Sequence, residues 1–387
     1  MLKKIYALML ALLLCCGGAL AQELTMDEAV DQAFRRAKTV GGALVVAMGD
    51  EIVYERYYGV QQKTTGVPVS ADTYFRCASV TKLVTGIGLL QLMDQGVLAP
   101  DTDISEYLGY TVYNPRYPDS PVTLRQLMSH TSSINAGGGY ANDLEGYVWK
   151  LLSLERSRTA NYYKQKPGSK YVYSNFGAGL MGSLIELVTG QNINVSVTNG
   201  LFDPLGIDAA YNVNLLNVPE KIVNLYNDKG ELETSRETYL SREWDPNVDP
   251  EYHFKDTAGR LWMRGEDLCR LGILLCQGGT LDGVTILEPK TVAAMMESQL
   301  GKPGITCDSK YGLCIYRKSE LLKERIVYGH QGMSEGVVAA LFFEPESQLV
   351  FSVITNGCND VMVNYMANIN RKLFLKTWEI FGDPDVK

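Results

Sequence analysis

Ser79-Val80-Thr81-Lys82 sets a nucleophile and a base one helical turn apart. A serine hydroxyl attacks a carbonyl only when another group takes its proton. Residues i and i+3 of a helix share a face, so Lys82 can reach Ser79. A lysine in the first helical turn meets the positive end of the helix dipole, and here it is followed by the apolar Leu83, Val84, Ile87 and Leu90. Both influences disfavour the ammonium form and leave an amine able to accept a proton near neutrality. The same helix start offers backbone N–H groups to a developing oxyanion. The spacing alone is weak, because S-x-x-K arises by chance roughly once in a chain of this length. Its context is stronger: a strand-like run from Tyr74 to Ala78 leads straight into it, and an apolar helix follows to about Gln95.

Competing chemistry is poorly supported. Gly332-Met333-Ser334-Glu335-Gly336 has the form G-x-S-x-G, which works on a strand-to-helix elbow with a histidine later in the chain. Val337 to Phe343 reads as a strand instead, and no histidine follows Ser334. The three histidines, His130, His253 and His330, lie far apart without metal-ligand spacing, and there is no C-x-x-C pair. Neither a metal nor another cofactor is expected.

The elements that must position Ser79 and Lys82 come from both ends of the chain. Residues 26–38 read as an amphipathic helix. Gly42 to Met48 and Glu51 to Tyr58 read as a hairpin turning at Gly49-Asp50. The middle is helical and irregular. It contains a short helix from Val122 to Ser129, a Gly-rich loop over residues 135–147 and an apolar helix from Gly177 to Thr189 stopped by Gly190. A further helix is expected from Leu261 to Cys276. Strands follow at Tyr311–Arg317, Ile326–Gly329, Val337–Phe343 and Leu349–Thr355, then a helix from about Met362 to Trp378. The pattern predicts an α+β fold: an antiparallel sheet flanked by N- and C-terminal helices, with an inserted all-helical lobe. The expected division is 22–90 with 258–387 for the sheet lobe and 91–257 for the helical insertion.

Composition narrows the partners. The 387 residues carry a formal charge of −8 without a basic run, which argues against nucleic acid or an anionic membrane surface. Residues 1–21 read as a signal peptide: Lys3 and Lys4, an apolar run from Ile5 to Cys16, and small residues at Ala19 and Ala21. The mature chain is therefore expected to be secreted or extracytoplasmic, without a transmembrane anchor. Lipid attachment at Cys16 is the alternative, although Leu14 and Cys15 stand where a small residue is usual. Export permits disulfides, and Cys307 with Cys314 is the expected pair.

Ser79-Val80-Thr81-Lys82, Tyr173-Ser174-Asn175 and His330-Gln331-Gly332 together resemble the three motifs of the serine β-lactamase and penicillin-binding-protein superfamily. The resemblance is nearest to its class C-related hydrolases, which include D,D-peptidases, D-aminopeptidases and esterases. Supporting stretches are Leu127 to Ser132, Pro167-Gly168 and Ala258 to Leu261. Tyr140-Ala141-Asn142 also spells Y-x-N, but Tyr173 follows Pro167-Gly168 and directly precedes a long apolar helix, which fixes a side chain better. The resemblance implies a β-lactamase/transpeptidase-like fold and an acyl-enzyme on Ser79, with Lys82 and Tyr173 sharing proton transfer. It implies that Asn175 bonds the substrate amide and positions Lys82, and that the backbone N–H groups of Ser79 and Met333 hold the oxyanion. His330, Gln331 and Gly332 would line the substrate side, with His330 and Lys82 as cations favouring the ionised Tyr173. The resemblance implies an amide of a D-residue peptide, such as a cell-wall muropeptide, as substrate, of the D,D-carboxypeptidase or D-aminopeptidase type. The third motif departs from the usual Lys-Thr-Gly, which argues against efficient β-lactam hydrolysis and against recognition of a free C-terminal carboxylate. Small-ester hydrolysis or weak lactamase activity by the same residues, and a non-catalytic muropeptide or penicillin sensor, are the alternatives.

Overall fold

A computed structural model describes residues 24–135, 148–152, 159–248, 250, 253–334 and 336–382. The expected signal segment with Cys16, the Tyr140 motif and most of the Gly-rich loop lie outside the described residues.

Helix α1 (Met26–Arg36) begins at a Thr25–Glu28 capping box and buries Met26, Val30 and Phe34, a stripe at i, i+4 and i+8. It feeds a hairpin, β1 (Gly41–Met48) and β2 (Glu51–Gly59). The chain then forms β3 (Tyr74–Arg76), a 3₁₀ turn at Ala78–Val80, and α2 (Thr81–Asp94). Further along come α3 (Leu124–Met128), α4 (Asn175–Thr189), β4 (Trp262–Arg264) and α5 (Gly265–Cys276). The C-terminal part supplies β5 (Tyr316–Leu322), β6 (Arg325–Ser334), β7 (Val337–Glu344) and β8 (Leu349–Thr355). A small hairpin, β9 (Met362–Val363) with β10 (Met366–Ala367), precedes α6 (Asn368–Phe381).

Six strands form one antiparallel sheet in the order β5-β6-β7-β8-β1-β2, so the N-terminal hairpin closes onto strands from the far end of the chain. Side chains alternate between faces along each strand. Ala43, Val45, Ala339, Leu341, Val350 and Ile354 join the core shared with α2, α4 and α5. Leu44, Val46, Ala340, Phe342, Phe351 and Val353 join a second core with α1 and α6. This two-sided cover explains why β1, β7 and β8 are buried along nearly their whole length. The segment before β4 is mostly helical and irregular, with short strands at Ala209–Ala210, Leu225–Tyr226 and Leu232–Thr234. Among the described residues no helix is long and apolar enough to cross a membrane.

Helix α2 is buried on every side from Thr81 to Leu90, as its all-round apolarity requires. It lies against α4, and a short run of helical turns, His253–Lys255 and Asp256–Gly259, packs on α4 in turn. A Cβ on Gly179 would lie 2.1 Å from the Phe254 carbonyl oxygen, so only glycine allows this approach.

Four local expectations shift, each for a visible reason. The strand expected at Tyr311–Arg317 begins at Tyr316, because Cys314 is left-handed (φ 58°) and Gly312 N–H bonds the Ile315 carbonyl in a turn. The helix expected from Met362 begins at Asn368, because Asn364 and Tyr365 both adopt positive φ (50° and 58°) and turn a hairpin first. The helix expected from Leu261 begins at Gly265, because Trp262–Arg264 pairs with β3. Cys307 and Cys314 are free thiols, as are the other described cysteines; Cys314 is buried with its Sγ 3.4 Å from Met181 Sδ.

Gly179→Ala should destabilise the fold by about 1–3 kcal/mol, the usual cost of overpacking, although alanine is the better helix former by roughly 1 kcal/mol. Urea unfolding checks this; an unchanged or raised midpoint would contradict the packing of residues 253–259 on α4.

Candidate active site

The turn that carries Ser79 is held from both ends. Cys77 N–H donates to the Leu261 carbonyl (2.8 Å), and the Thr81 hydroxyl donates to the Ala78 carbonyl (2.6 Å) while accepting from Leu261 N–H (3.2 Å). Ala78 is left-handed at φ 44°, a conformation that strains a residue with a Cβ by of order 1–3 kcal/mol and persists only where neighbours over-determine it. The result turns Ser79 out of the core to partial exposure, while Ala78 and Val80 stay buried.

Lys82 is 1% exposed. Its Nζ lies 3.0 Å from Ser79 Oγ and donates to the Ala258 carbonyl. Burial lowers its pKa to about 7, with the positive Arg76 adding to the effect. At neutral pH a large fraction is therefore free amine, with a lone pair for the serine proton. Lys82 Nζ also sits over the Tyr173 ring, 5.1 Å from its centroid.

Tyr173 is fixed by a residue to which sequence reasoning assigned no role. His130, itself left-handed (φ 55°), accepts Val172 N–H at its carbonyl (2.9 Å) and Ser174 N–H at Nδ1 (3.3 Å), and stacks on the Tyr173 ring at 4.3 Å between centroids. Burial holds its pKa well below 6.5, and the nearby Lys82 pushes the same way, so His130 is neutral with Nδ1 as acceptor. On the other side of Tyr173, Ser174 caps α4 by accepting Gly177 N–H at 3.0 Å.

Asn175 is the first residue of α4 and is exposed. The expectation that it positions Lys82 is not met: the lysine's hydrogen bonds go to Ser79 and Ala258. The backbone of 258–261 does that work, with one carbonyl on Lys82 and two bonds from Leu261 to the serine turn.

On β6 the strand alternation separates the third motif. His330 points to the Ser79 side and is fully buried, with Nε2 3.0 Å from Tyr311 Oη and Nδ1 2.7 Å from the Gln331 carbonyl. Tyr311 holds its proton, because burial raises its pKa well above 10, so the phenol donates to Nε2 and Nδ1–H donates to the carbonyl. Burial, reinforced by Lys82, lowers the His330 pKa to about 3. The expected cation at this position is therefore absent. Gln331 faces the opposite side, where its amide bonds the Tyr365 carbonyl (2.8 Å) and Ala367 N–H (2.9 Å); it does not line the Ser79 side as expected.

Gly332 and Met333 complete the wall. A Cβ on Gly332 would lie 2.6 Å from both the Cys77 carbonyl oxygen and Ser79 N, so β6 touches the serine turn only through glycine. Val338, opposite Met333, directs its N–H and carbonyl to the Thr355 hydroxyl on β8. Met333 and Val338 thus form a non-hydrogen-bonded pair, which aims Met333 N–H at the open edge beside Ser79. Ser334 of the G-x-S-x-G sits at the end of β6, paired to Val337 of β7, and not on a strand-to-helix elbow. Rings of His130, Tyr171, Tyr173, Tyr311, Tyr316 and His330 gather around this wall. Among the described residues no cluster could hold a metal ion.

A buried S-x-x-K lysine, a tyrosine at a capped helix start and a glycine-bearing strand edge converge on one point, and most of the chain matches a known pattern accordingly. The sequence model of the family described as Beta-lactamase matches residues 26–374. The chain belongs to this family. As a beta-lactamase-family protein it is a serine hydrolase of the serine β-lactamase/penicillin-binding-protein superfamily. It is similar to penicillin-binding protein 4 of Amycolatopsis lactamdurans, 27% identical over 91% of each chain. It is also similar to the D-alanyl-D-alanine-carboxypeptidase/endopeptidase AmpH of Escherichia coli K12, 30% identical over 48% of this chain and 49% of that one. The octameric penicillin-binding protein homologue from Pyrococcus abyssi shares the fold: TM-score 0.71 at 18% identity, over 93% of this chain and 78% of that one.

Two outcomes follow for this family member. Gly332→Ala should slow covalent labelling of Ser79 by about 100-fold or more, the scale of a 1 Å misplacement, as read from the pseudo-first-order rate with a fluorophosphonate. The wild-type labelling rate should fall about tenfold per pH unit below 7 and level off above it, because the amine form of Lys82 is lost as pH drops through its value of about 7. A flat profile from pH 5 to 8 would exclude Lys82 as the base.

Proposed function

We propose that this chain is an exported acyl-enzyme hydrolase that cleaves amide bonds of peptides containing D-residues. The observation that carries the reading is the 3.0 Å approach of a buried Lys82 amine, with its pKa near 7, to the Ser79 hydroxyl. Ser79 Oγ adds to the substrate carbonyl as its proton passes to Lys82, and the oxygen that becomes negative lies between Ser79 N–H and Met333 N–H. Collapse breaks the C–N bond. Tyr173, beside Lys82, gives its own proton to the departing nitrogen and recovers one from water as the acyl-ester is hydrolysed, while Lys82 returns its proton to Ser79 Oγ. Exposed Asn175 meets the substrate amide at the mouth of the cleft. Export rests on the N-terminal basic and apolar run.

The third motif favours one substrate class within this scheme. His330 is neutral and buried, and Gln331 is turned away, so neither offers a fixed charge to a free C-terminal carboxylate or to a β-lactam carboxylate. That supports cleavage at an amide without an adjacent carboxylate, the aminopeptidase or endopeptidase pattern. The similarity to a relative named as a carboxypeptidase/endopeptidase supports a D-residue acyl group.

Mass spectrometry after fluorophosphonate treatment should show one adduct on Ser79, absent from Ser79→Ala. A D-alanyl peptide blocked as its amide should turn over faster than the same peptide with a free carboxylate, and a chromogenic cephalosporin should acylate without sustained turnover. A nitrophenyl ester hydrolysed well while every D-amide stays intact would move the reading to an esterase. No adduct and no turnover would leave a binding protein.

A further inference from the structure

Gln331 and Lys318 are buried polar side chains that the acyl transfer does not use, at 7% and 2% exposure. Both end on one acceptor. The Tyr365 carbonyl takes Gln331 Nε2 at 2.8 Å and Lys318 Nζ at 3.0 Å, while Gln331 Oε1 takes Ala367 N–H at 2.9 Å. These bonds hold the tip of the β9–β10 hairpin, where Asn364 and Tyr365 both adopt positive φ without a glycine. The tip so fixed presents an uncovered ring: Tyr365 is 82% exposed. Met362 beside it and Met333 on the strand edge are exposed as well. Buried polar groups are expensive unless satisfied, and here three polar contacts are spent on the backbone under one surface aromatic.

The position gives that ring a use. β5 pairs with β6 only as far as Gly329, so the edge from His330 to Ser334 is open. A substrate lying along it has the Ser79 turn on the face where His330 and Gly332 point. It has the hairpin on the face where Gln331 and Met333 point. Its direction follows from the proton donor. The scissile carbonyl is held at Met333 N–H, and Tyr173, which protonates the departing nitrogen, lies toward His330 at 6.5 Å between ring centroids. The leaving group therefore extends past His330 and Gln331, beneath the hairpin tip. Lys318 is already paired with Glu320 at 3.5 Å, so the tip offers apolar surface rather than a free cation.

We infer that the β9–β10 tip forms the leaving-group subsite and that Tyr365 selects substrates whose departing amine carries an apolar or aromatic side chain. Gln331 is its positioning residue, through its bonds to the Tyr365 carbonyl and Ala367 N–H. The inference rests on the acyl-enzyme reading given above.

The test compares the benzylamide and the methylamide of one D-alanyl acyl group. Wild type should prefer the benzylamide in kcat/KM. Tyr365→Ala should lower that preference about tenfold, the scale of a lost apolar contact, and Tyr365→Phe should keep it. Gln331→Ala, which frees the tip, should lower it in the same direction with an unchanged rate of deacylation. Both amides give the same acyl-enzyme, so single-turnover deacylation should be equal in all four proteins. A benzyl-to-methyl ratio unmoved in Tyr365→Ala, or a change in deacylation, overturns the assignment. The two readings separate cleanly: a normal Ser79 adduct with an unmoved ratio removes the subsite alone, and no Ser79 adduct in the wild type removes both.

Discussion

Everything in this site depends on keeping the Lys82 ammonium group out of water. An amine at 1% exposure can be held there only if its head finds acceptors, and it finds two, Ser79 Oγ and the Ala258 carbonyl. That burial moves its proton affinity to the working range of a base. It also dictates the surroundings. α2 must be apolar on all sides, β6 must bring glycine rather than a side chain to the serine turn, and the rings of His130, Tyr311 and His330 must be uncharged. Adding a second cation nearby would compete with Lys82 for the same poorly solvated space, and the two histidines yield, their pKa values lowered by burial and by the lysine itself.

The sheet serves this arrangement through its edge. β5 stops pairing at Gly329, and the continuation of β6 is left open beside Ser79. An unpaired edge invites unwanted strand addition. Here it is short, and it is flanked by the serine turn on one face and the β9–β10 hairpin on the other. The antiparallel register that buries Val338 against Thr355 is the same register that turns Met333 N–H outward, so core packing and the candidate oxyanion contact are set together.

Local spacing carried the sequence reading a long way. The i, i+3 pair at Ser79 and Lys82, the cap-like Ser174 after Tyr173 and the glycine of His330-Gln331-Gly332 are patterns within a few residues, and the structure brings them together. The apolar and β-branched runs of β1, β7 and β8 were equally legible as strands of an antiparallel sheet. What could not be read were properties set by distant residues. The charge of His330 depends on enclosure by the aromatic wall and on Lys82, which is remote in sequence. The side chain of Gln331 points away because a strand alternates, but its partners lie in a hairpin whose turn uses Asn364 and Tyr365 in place of glycine, so no turn signal marked it. His130 gave a sign only as part of the Leu127 to Ser132 stretch; its grip on both neighbours of Tyr173 is a tertiary fact. The Ala258 carbonyl is a backbone atom, invisible to any reading of side-chain types.

That carbonyl has a consequence for when the protein becomes reactive. Ala258 and Lys82 are 176 positions apart in sequence. Until the turns at 253–259, which precede β4, have folded back onto α2, the lysine is hydrated and keeps its ordinary affinity for a proton, near 10.4. Ser79 then has no base at neutral pH. The nascent or partly unfolded chain is thus chemically silent, and the serine becomes a nucleophile only as the last long-range contacts close. Closure of this long-range contact and arming of the hydroxyl are thereby coupled.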